Sequence, residues 1–118
     1  MKPIPTKLHG IVDYTTGALF LAAPWLLGFA DNDAARRVAV GTGITVLGLS
    51  AFTDYEAGLA KRIPMATHLT VDTLNGALVA ASPWLFGFAK RISWPHVTFG
   101  LLELGAGLLT QRKPSYEK

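Results

Sequence analysis

Two histidine–aspartate pairs in this sequence have a spacing that could support chemistry. His9 precedes Asp13 by four residues. His68 precedes Asp72 by the same interval. Residues four apart are neighbours on one face of an α-helix, so each pair can act as a unit. Glu103 is a third carboxylate in an apolar segment, and helix geometry puts it at about the depth of Asp13. Ionisable side chains inside apolar helices are costly to bury and are therefore candidates for a functional site.

Two interpretations of these residues require no bound metal or haem. In the first, each His–Asp pair caps and stabilises the start of its own helix, with the imidazole reaching interfacial water. In the second, Asp13, Asp72 and Glu103 line a pathway for ions or protons. Carboxylates that are brought together repel one another when ionised, which favours proton uptake and suits proton-coupled transport. Further polar side chains occur in the same apolar segments at Thr16, Thr42, Thr45, Thr73 and Asn75.

A third interpretation is a metal or haem site. His9 and His68 are expected at equivalent depths in two related helices. Such a pair could supply the axial ligands of a haem or half of a His₂Asp₂ metal site. The sequence has no HExxH-type motif and no haem-attachment motif, so it demands no cofactor. All three interpretations remain open at the level of the sequence.

The composition argues against several other classes of function. The chain has no cysteine, which excludes disulfides, thiol catalysis and thiolate metal sites. It also lacks a nucleophile elbow and a phosphate-binding glycine loop, so we do not predict an enzyme. The formal net charge is +3, but the basic residues occur in pairs at the ends of apolar segments, where they normally set membrane topology. Nucleic-acid binding is therefore not expected.

Long uncharged segments must position these polar groups. Residues 14–30, 38–53 and 73–89 contain no charged side chain, and Glu103 is the single charge in 92–111. Only 16% of residues are charged, against roughly 25% in ordinary soluble domains. Helices of a soluble bundle would each need a polar face. The pattern instead predicts an all-α bundle of four short transmembrane helices, forming one membrane domain over residues 1–118.

The sequence is a tandem duplication of one two-helix unit. Aligning residue 1 with residue 60 matches the halves without a gap, and it assigns residues 1–59 and 60–118 to the two repeats. In this gapless register Glu103 falls opposite Ile44 and breaks the symmetry. Each repeat contributes two spans, so the pseudo-two-fold axis runs along the membrane normal. The side with both termini carries seven lysines and arginines against four, so both termini are expected in the cytoplasm.

A short motif in each repeat carries a resemblance to a known family. Residues 81–88 read Ala-Ser-Pro-Trp-Leu-Phe-Gly-Phe. The pair Pro83 and Trp84 recurs as Pro24 and Trp25 in the first copy, where alanine replaces the serine. The sequence resembles the SPW-repeat family of small bacterial membrane proteins over almost its whole length. The resemblance implies a multi-pass protein of the bacterial cytoplasmic membrane, in contact with lipid, and it implies no catalytic residues.

Prolines and polar residues mark the expected helix ends. Helices 1 and 3 should begin at about Pro5 and Pro64, because proline suits a first helical turn. Asp33 and Ser93 are the predicted N-caps of helices 2 and 4. The Pro–Trp pairs fall roughly 30 Å along helices 1 and 3, at the expected outer membrane interface. Tryptophan is enriched there, so we interpret these pairs as part of an aromatic belt rather than as a substrate-binding site.

Four glycines predict where helices pack. Gly41 and Gly48 are seven residues apart, as are Gly100 and Gly107, so each pair lies on one helical face. Small residues allow membrane helices to approach closely. We expect these faces to form packing contacts, including a homodimer interface where an ion pathway could form. His96 has no counterpart in the first repeat and is expected at the membrane interface.

Overall fold

The computed structural model describes residues 2–116 as four α-helices joined by loops. Helix α1 covers Thr6–Leu26 and α2 covers Asp33–Ala51. Helix α3 covers Met65–Leu85 and α4 covers Trp94–Leu109. The predicted all-α architecture of four helices is therefore confirmed. Within residues 2–116, no helix combines the length and the apolar character required of a membrane span.

Proline and asparagine determine where the first three helices begin. α1 and α3 start directly after Pro5 and Pro64, as the sequence predicts. Asn32, and not Asp33, caps α2, because its side-chain oxygen accepts a 3.0 Å hydrogen bond from the Ala35 amide. Asp33 instead lies in the first turn, where a carboxylate interacts favourably with the positive end of the helix dipole.

The Pro–Trp pairs lie where α1 and α3 end. Trp25 and Trp84 directly precede the last residue of their helices, and both are largely exposed. Gly28 and Gly87 follow with φ values of 78° and 75°, a left-handed conformation that glycine adopts without strain. This conformation turns the chain back towards α2 and α4. We refer to this end of the molecule as the Pro–Trp end.

Each helix packs mainly against its neighbour in sequence. α1 runs antiparallel to α2, and α3 to α4, so the molecule consists of two helical hairpins. At the Pro–Trp end, Arg91 donates to the Gly28 carbonyl and the Asp31 carboxylate, both at 2.8 Å, and joins the two connecting loops. At the opposite end, Ile4 pairs with the segment around Thr110. The two hairpins are therefore held together at both ends.

Within the chain, only two of the four predicted packing glycines contact another helix. Gly41 and Gly48 face open space, since nothing lies within 4 Å of where a Cβ would stand. Gly100 and Gly107 do pack against α3, and a Cβ on Gly107 would lie 2.9 Å from the Leu69 carbonyl oxygen. Because α3 covers their face, Gly100 and Gly107 cannot line an interface between two chains. The homodimer itself stays a prediction.

Gly43 makes the close contact in the first hairpin. A Cβ on Gly43 would lie 2.9 Å from the Gly17 carbonyl oxygen, in the same way that Gly100 approaches Gly76. The gapless register pairs Gly17 with Gly76, but it pairs Gly43 with Leu102, two positions beyond Gly100. The gapless register therefore does not give the structural equivalence of α2 and α4, because Gly17 and Gly43 are 26 residues apart whereas Gly76 and Gly100 are 24 residues apart. We call the alignment of Gly43 with Gly100 the shifted register.

The shifted register changes the counterparts of several residues. The structural equivalent of Glu103 is the buried Val46, not Ile44, so the glutamate still has no acidic counterpart. Thr53 becomes the equivalent of Thr110. Both threonines follow the second helix of their hairpin and are completely buried.

Aromatic rings surround His96 near the Pro–Trp end. The ring centroids of Phe20, Phe29 and Phe88 lie 4.7–5.3 Å from that of the imidazole. The Nε2–H of His96 donates to the Ala35 carbonyl at 2.9 Å. His96 lies in the first turn of α4, but α2 and the phenylalanines of both connecting loops bury it completely, so its imidazole does not face the surroundings of the protein. Its predicted depth at a membrane interface stays a prediction.

Candidate functional site

The two predicted His–Asp pairs meet between α1 and α3. His9, Asp13, His68 and Asp72 each offer one ligand atom, and these four atoms lie within 4.8 Å of one another. All four residues are buried, with at most 6% of their surface exposed. Because the pairs belong to different hairpins, only the docking of the hairpins creates this group. We call these four residues the His–Asp cluster.

Contacts in the His–Asp cluster run along each helix and between the helices. Along α1, His9 Nε2 lies 3.1 Å from Asp13 Oδ1. Along α3, His68 Nε2 lies 3.1 Å from Asp72 Oδ2. Between the helices, the distance from His9 Nε2 to Asp72 Oδ2 is 2.8 Å. The distance from His68 Nε2 to Asp13 Oδ2 is 3.1 Å. Each imidazole therefore contacts both carboxylates.

A threonine from each hairpin holds the imidazole of the other hairpin. Thr110 Oγ1 lies 2.7 Å from His9 Nδ1, and Thr53 Oγ1 lies 2.6 Å from His68 Nδ1. The Thr53 hydroxyl also donates to the Leu49 carbonyl at 2.6 Å. A hydroxyl has a single hydrogen, so Thr53 must accept its second bond from the Nδ1–H of His68. Thr53 thereby sets the tautomer of His68.

This tautomer gives neutral His68 a lone pair on Nε2 that points into the His–Asp cluster. The Nε2 atom is 3.1 Å from oxygens of Asp13 and Asp72, but no group in residues 2–116 forms a hydrogen bond of good geometry with it. Buried acceptors that face one another in this way need a cation between them. The cation can be a proton on Nε2 or a metal ion.

Tyr55 makes the two aspartates of the cluster unequal. Its buried hydroxyl donates to Asp13 Oδ2 at 2.8 Å. Burial raises the pKa of Tyr55 well above its usual range and the charge of Asp13 adds to the effect, so the phenol stays a neutral donor. No donor in residues 2–116 reaches Asp72 Oδ1. Asp72 thus keeps one oxygen for a further ligand.

Glu103 lies beside the His–Asp cluster and not within it. Its Oε1 accepts a 3.1 Å hydrogen bond from Nδ2 of Asn75 on α3. Its Oε2 has no hydrogen-bond partner in the described part of the chain. Glu103, Asp13 and Asp72 line a cavity of about 10 Å³, which has room for about one water molecule. Of the five predicted site residues, four therefore converge and the fifth is their neighbour.

The donor set fits a divalent metal ion better than a haem. Zn²⁺ is held by imidazole and carboxylate groups at about 2.0–2.2 Å, which separates the ligand atoms of a tetrahedron by about 3.3 Å. The four nitrogen–oxygen distances given above are 2.8–3.1 Å and involve both oxygens of Asp13. One ligand atom from each residue lies within 4.8 Å of the others, so small side-chain shifts would bring the four groups onto one ion. The ring centroids of His9 and His68 are 5.2 Å apart and edge-to-face, which leaves no space for a porphyrin. His9 and His68 therefore suit direct ligation of a metal ion.

Sequence reasoning missed Thr53, Thr110 and Tyr55. The gapless register pairs Thr53 with Arg112 and not with Thr110, so it gives the two threonines no common role. A second alignment, shifted by two positions and restricted to the second helices, would have paired them. Tyr55 lies in an ordinary loop, and its sequence context gives no signal of a bond to a distant helix.

The fold and the His–Asp cluster define a duplicated helical bundle with a buried set of metal-ligating side chains. The family model of the SPW repeat domain matches residues 7–110, which include every residue of the cluster and Glu103. The chain therefore belongs to the SPW repeat family, as the Ser-Pro-Trp motif indicated. No curated protein and no solved structure matches the chain significantly.

Proposed function

We propose that this protein is a membrane-embedded helical bundle whose His–Asp cluster binds one divalent transition-metal ion. The observation that carries the proposal is the orientation of His68. Thr53 holds its Nδ1–H, and its Nε2 points between the carboxylates of Asp13 and Asp72. Histidine ligands of metals commonly have this arrangement, with one nitrogen on the metal and the other donating to a nearby acceptor.

The outer surface of the bundle supports a membrane location. Every helix directs large apolar side chains outward, and the following are more than half exposed: Leu19, Ile44, Leu74 and Leu101. The ionisable groups of the His–Asp cluster lie inside. Soluble monomers rarely expose large apolar patches. Membership of the SPW repeat family, which is membrane-associated, adds to this argument.

Fractionation of cells that express the chain tests the membrane location. We expect the protein to sediment with membranes, to resist extraction by alkaline carbonate and to require detergent for solubility. Recovery in the supernatant without detergent would contradict a membrane location.

Charge balance gives a physical reason for metal binding. With neutral imidazoles, the two carboxylates of the cluster carry a net charge of −2 in an apolar interior, which is strongly unfavourable. One divalent ion neutralises that charge and uses all four side chains as ligands. The unpartnered oxygen of Asp72 is available to the same ion.

One observation favours a second, purely structural function. The 2.8 Å hydrogen bond from His9 Nε2 to Asp72 Oδ2 joins the two hairpins directly. If protons occupy both nitrogens of both imidazoles, the cluster becomes a neutral network of two imidazolium and two carboxylate groups. Its role would then be to hold the hairpins together.

Metal titration of the purified, metal-depleted protein in detergent separates the two functions. We expect one Zn²⁺ per chain by isothermal titration calorimetry, with a higher melting temperature. Asp13→Asn and His68→Gln should each weaken binding by at least about 100-fold, because each removes a ligand. Asp33→Asn is the matched control, because that carboxylate is 70% exposed and remote from the cluster.

The result that overturns the metal site is equally specific. If the wild-type protein binds no Zn²⁺ while Asp13→Asn still lowers the melting temperature, the cluster is a structural network.

A further inference from the structure

Two side grooves of the bundle occupy equivalent positions but differ in polarity. The groove between α1 and α4 has a volume of about 300 Å³ and a nearly wholly apolar wall that includes Leu19, Phe99 and Leu102. The groove between α2 and α3 has a volume of about 260 Å³. In the shifted register, Thr42 and Thr45 replace Phe99 and Leu102 there. We call these the apolar groove and the polar groove.

The polar groove extends from the Pro–Trp end towards the His–Asp cluster. It begins near Phe86 and Ser82 at the end of α3 and reaches Asn75 towards the middle of the helix. Asn75 also donates to Glu103, as described above. The same amide side chain therefore lines the groove and contacts the buried carboxylate.

Glu103 continues this polar route inward. Its carboxyl group is buried and lines the one-water cavity together with Asp13 and Asp72. One oxygen of this carboxyl group, Oε2, has no hydrogen-bond partner in the described part of the chain. Asp72 has an unpartnered oxygen at the same cavity. Polar groups thus follow one another from the polar groove, through Asn75 and Glu103, to a ligand of the metal site.

Two grooves between α1 and α4 also approach the His–Asp cluster, but both have largely apolar walls. The apolar groove shares Thr16, Phe99 and Leu102 with the one-water cavity, and Thr16 is the polar residue among them. A second groove between α1 and α4 touches His9, but its remaining wall is aliphatic and includes Leu8 and Leu109. At the end opposite the Pro–Trp pairs, the buried side chains of Thr53, Tyr55 and Thr110 cover the cluster. A cation that leaves water loses favourable hydration unless polar groups replace the water, as they do along the polar groove.

We propose that Glu103 is the access carboxylate of the metal site and that the ion reaches the His–Asp cluster along the polar groove. Glu103 contacts the ion in passing and is not one of its final ligands. This inference rests on the proposed metal site and adds the route and the residue that serve it. The species that travels along this route is a divalent cation such as Zn²⁺, which the buried carboxylate of Glu103 attracts electrostatically.

Stopped-flow measurement of Zn²⁺ binding to the detergent-solubilised full chain tests the route. Glu103→Gln keeps the acceptor for Asn75 but loses the charge. We expect it to slow both association and dissociation at least about tenfold, because an attractive charge on the route accelerates passage. The equilibrium Kd should change by less than about threefold, since the four final ligands are intact.

Two further variants test the groove itself. Thr45→Leu introduces the side chain found at the equivalent position of the apolar groove and should slow association in the same direction. Thr45 is exposed and bonds only to the Gly41 carbonyl of its own helix, so the fold should tolerate the change. Thr98→Leu, on the apolar groove, is the matched control and should leave both rates unchanged.

The outcomes separate the two proposals. Unchanged rates in Glu103→Gln, or a large loss of affinity in that variant, would overturn the access role and leave the metal site standing. Absence of Zn²⁺ binding to the wild-type chain would overturn the metal site, and the access route with it.

Discussion

His9 Nε2 lies 2.8 Å from an oxygen of Asp72, a residue of the other hairpin, and 3.1 Å from the aspartate of its own helix. The closer partner of this imidazole thus comes from the distant part of the sequence. The His–Asp cluster exists only while the hairpins are docked. Any cation bound there must therefore stabilise the contact between them, because it binds the docked state and not the separated one.

Removal of the hydroxyl groups behind the imidazoles should weaken metal binding. Thr53→Val and Thr110→Val keep the side-chain shape but remove the hydroxyl partners of the two imidazole Nδ1 atoms. We expect each variant to lower Zn²⁺ affinity by about 10–100-fold, the usual effect of losing such a partner. Thr70→Val is the control, because that hydroxyl is exposed and bonds only to its own helix. Equal affinities in all three variants would contradict the role of the threonines.

Metal binding to the His–Asp cluster should compete with protons. An imidazolium cannot ligate a metal, so Zn²⁺ must displace the protons held on the ligating nitrogens. We expect the affinity to fall as the pH is lowered and up to about two protons to be released per ion. Calorimetry in buffers of different ionisation enthalpy measures this number. A binding enthalpy that does not depend on the buffer would argue against ligation by His9 and His68.

The glycines should divide into two classes by their effect on stability. A Cβ on Gly43 would lie 2.9 Å from backbone atoms of α1. We expect Gly43→Ala to lower the free energy of unfolding by about 1–3 kcal/mol, the usual cost of overpacking. Gly41→Ala and Gly48→Ala meet open space and should raise it by about 0.5–1 kcal/mol, because alanine favours helix. Thermal melts of the four proteins check this order. A destabilising Gly41→Ala would restore the gapless register for α2.

Glu56 should make the folded protein less stable at acidic pH than at neutral pH. Its carboxylate accepts hydrogen bonds from the Thr6 hydroxyl at 2.7 Å and from the Ser115 amide at 2.8 Å, and so ties the central loop to both ends of the chain. Burial alone would raise the pKa of Glu56, but the bonds from Ser115 and Thr6 outweigh burial and lower it from 4.5 to about 2. Because the pKa of Glu56 is lower in the folded state than in the unfolded state, its ionised form stabilises the fold. This contribution is fully present above pH 4.5 and is lost as the pH falls to about 2.

Melting curves of wild-type protein and Glu56→Gln as a function of pH measure this contribution. At neutral pH we expect the variant to be less stable by about 1 kcal/mol, a value reduced for solvent screening of a partly exposed group. The two proteins should converge at about pH 2. A difference that is the same at all pH values would mean that the charge of Glu56 makes no contribution.

Local patterns made most of the fold predictable from the sequence. Uncharged segments indicate the four helices, and Pro5 and Pro64 mark two of their starts, because hydropathy and capping act within a few residues. The pairing of His9 with Asp13 is equally local, since it follows from helical spacing. The duplication places His68 and Asp72 in the same relation. The sequence alone therefore determined the elements, the family and both halves of the candidate site.

Only the tertiary structure decided how the two halves meet. The glycines at positions 41, 43 and 48 are compatible with either the gapless or the shifted register, and the approach of α2 to α1 selects the shifted one through Gly43. That choice brings Thr53 and Thr110 onto the imidazoles and places Glu103 beside Asp72. Such contacts depend on the packing of surfaces that are distant in sequence. A periodic pattern specifies which face of a helix is apolar, but not which residue on that face touches the neighbouring helix.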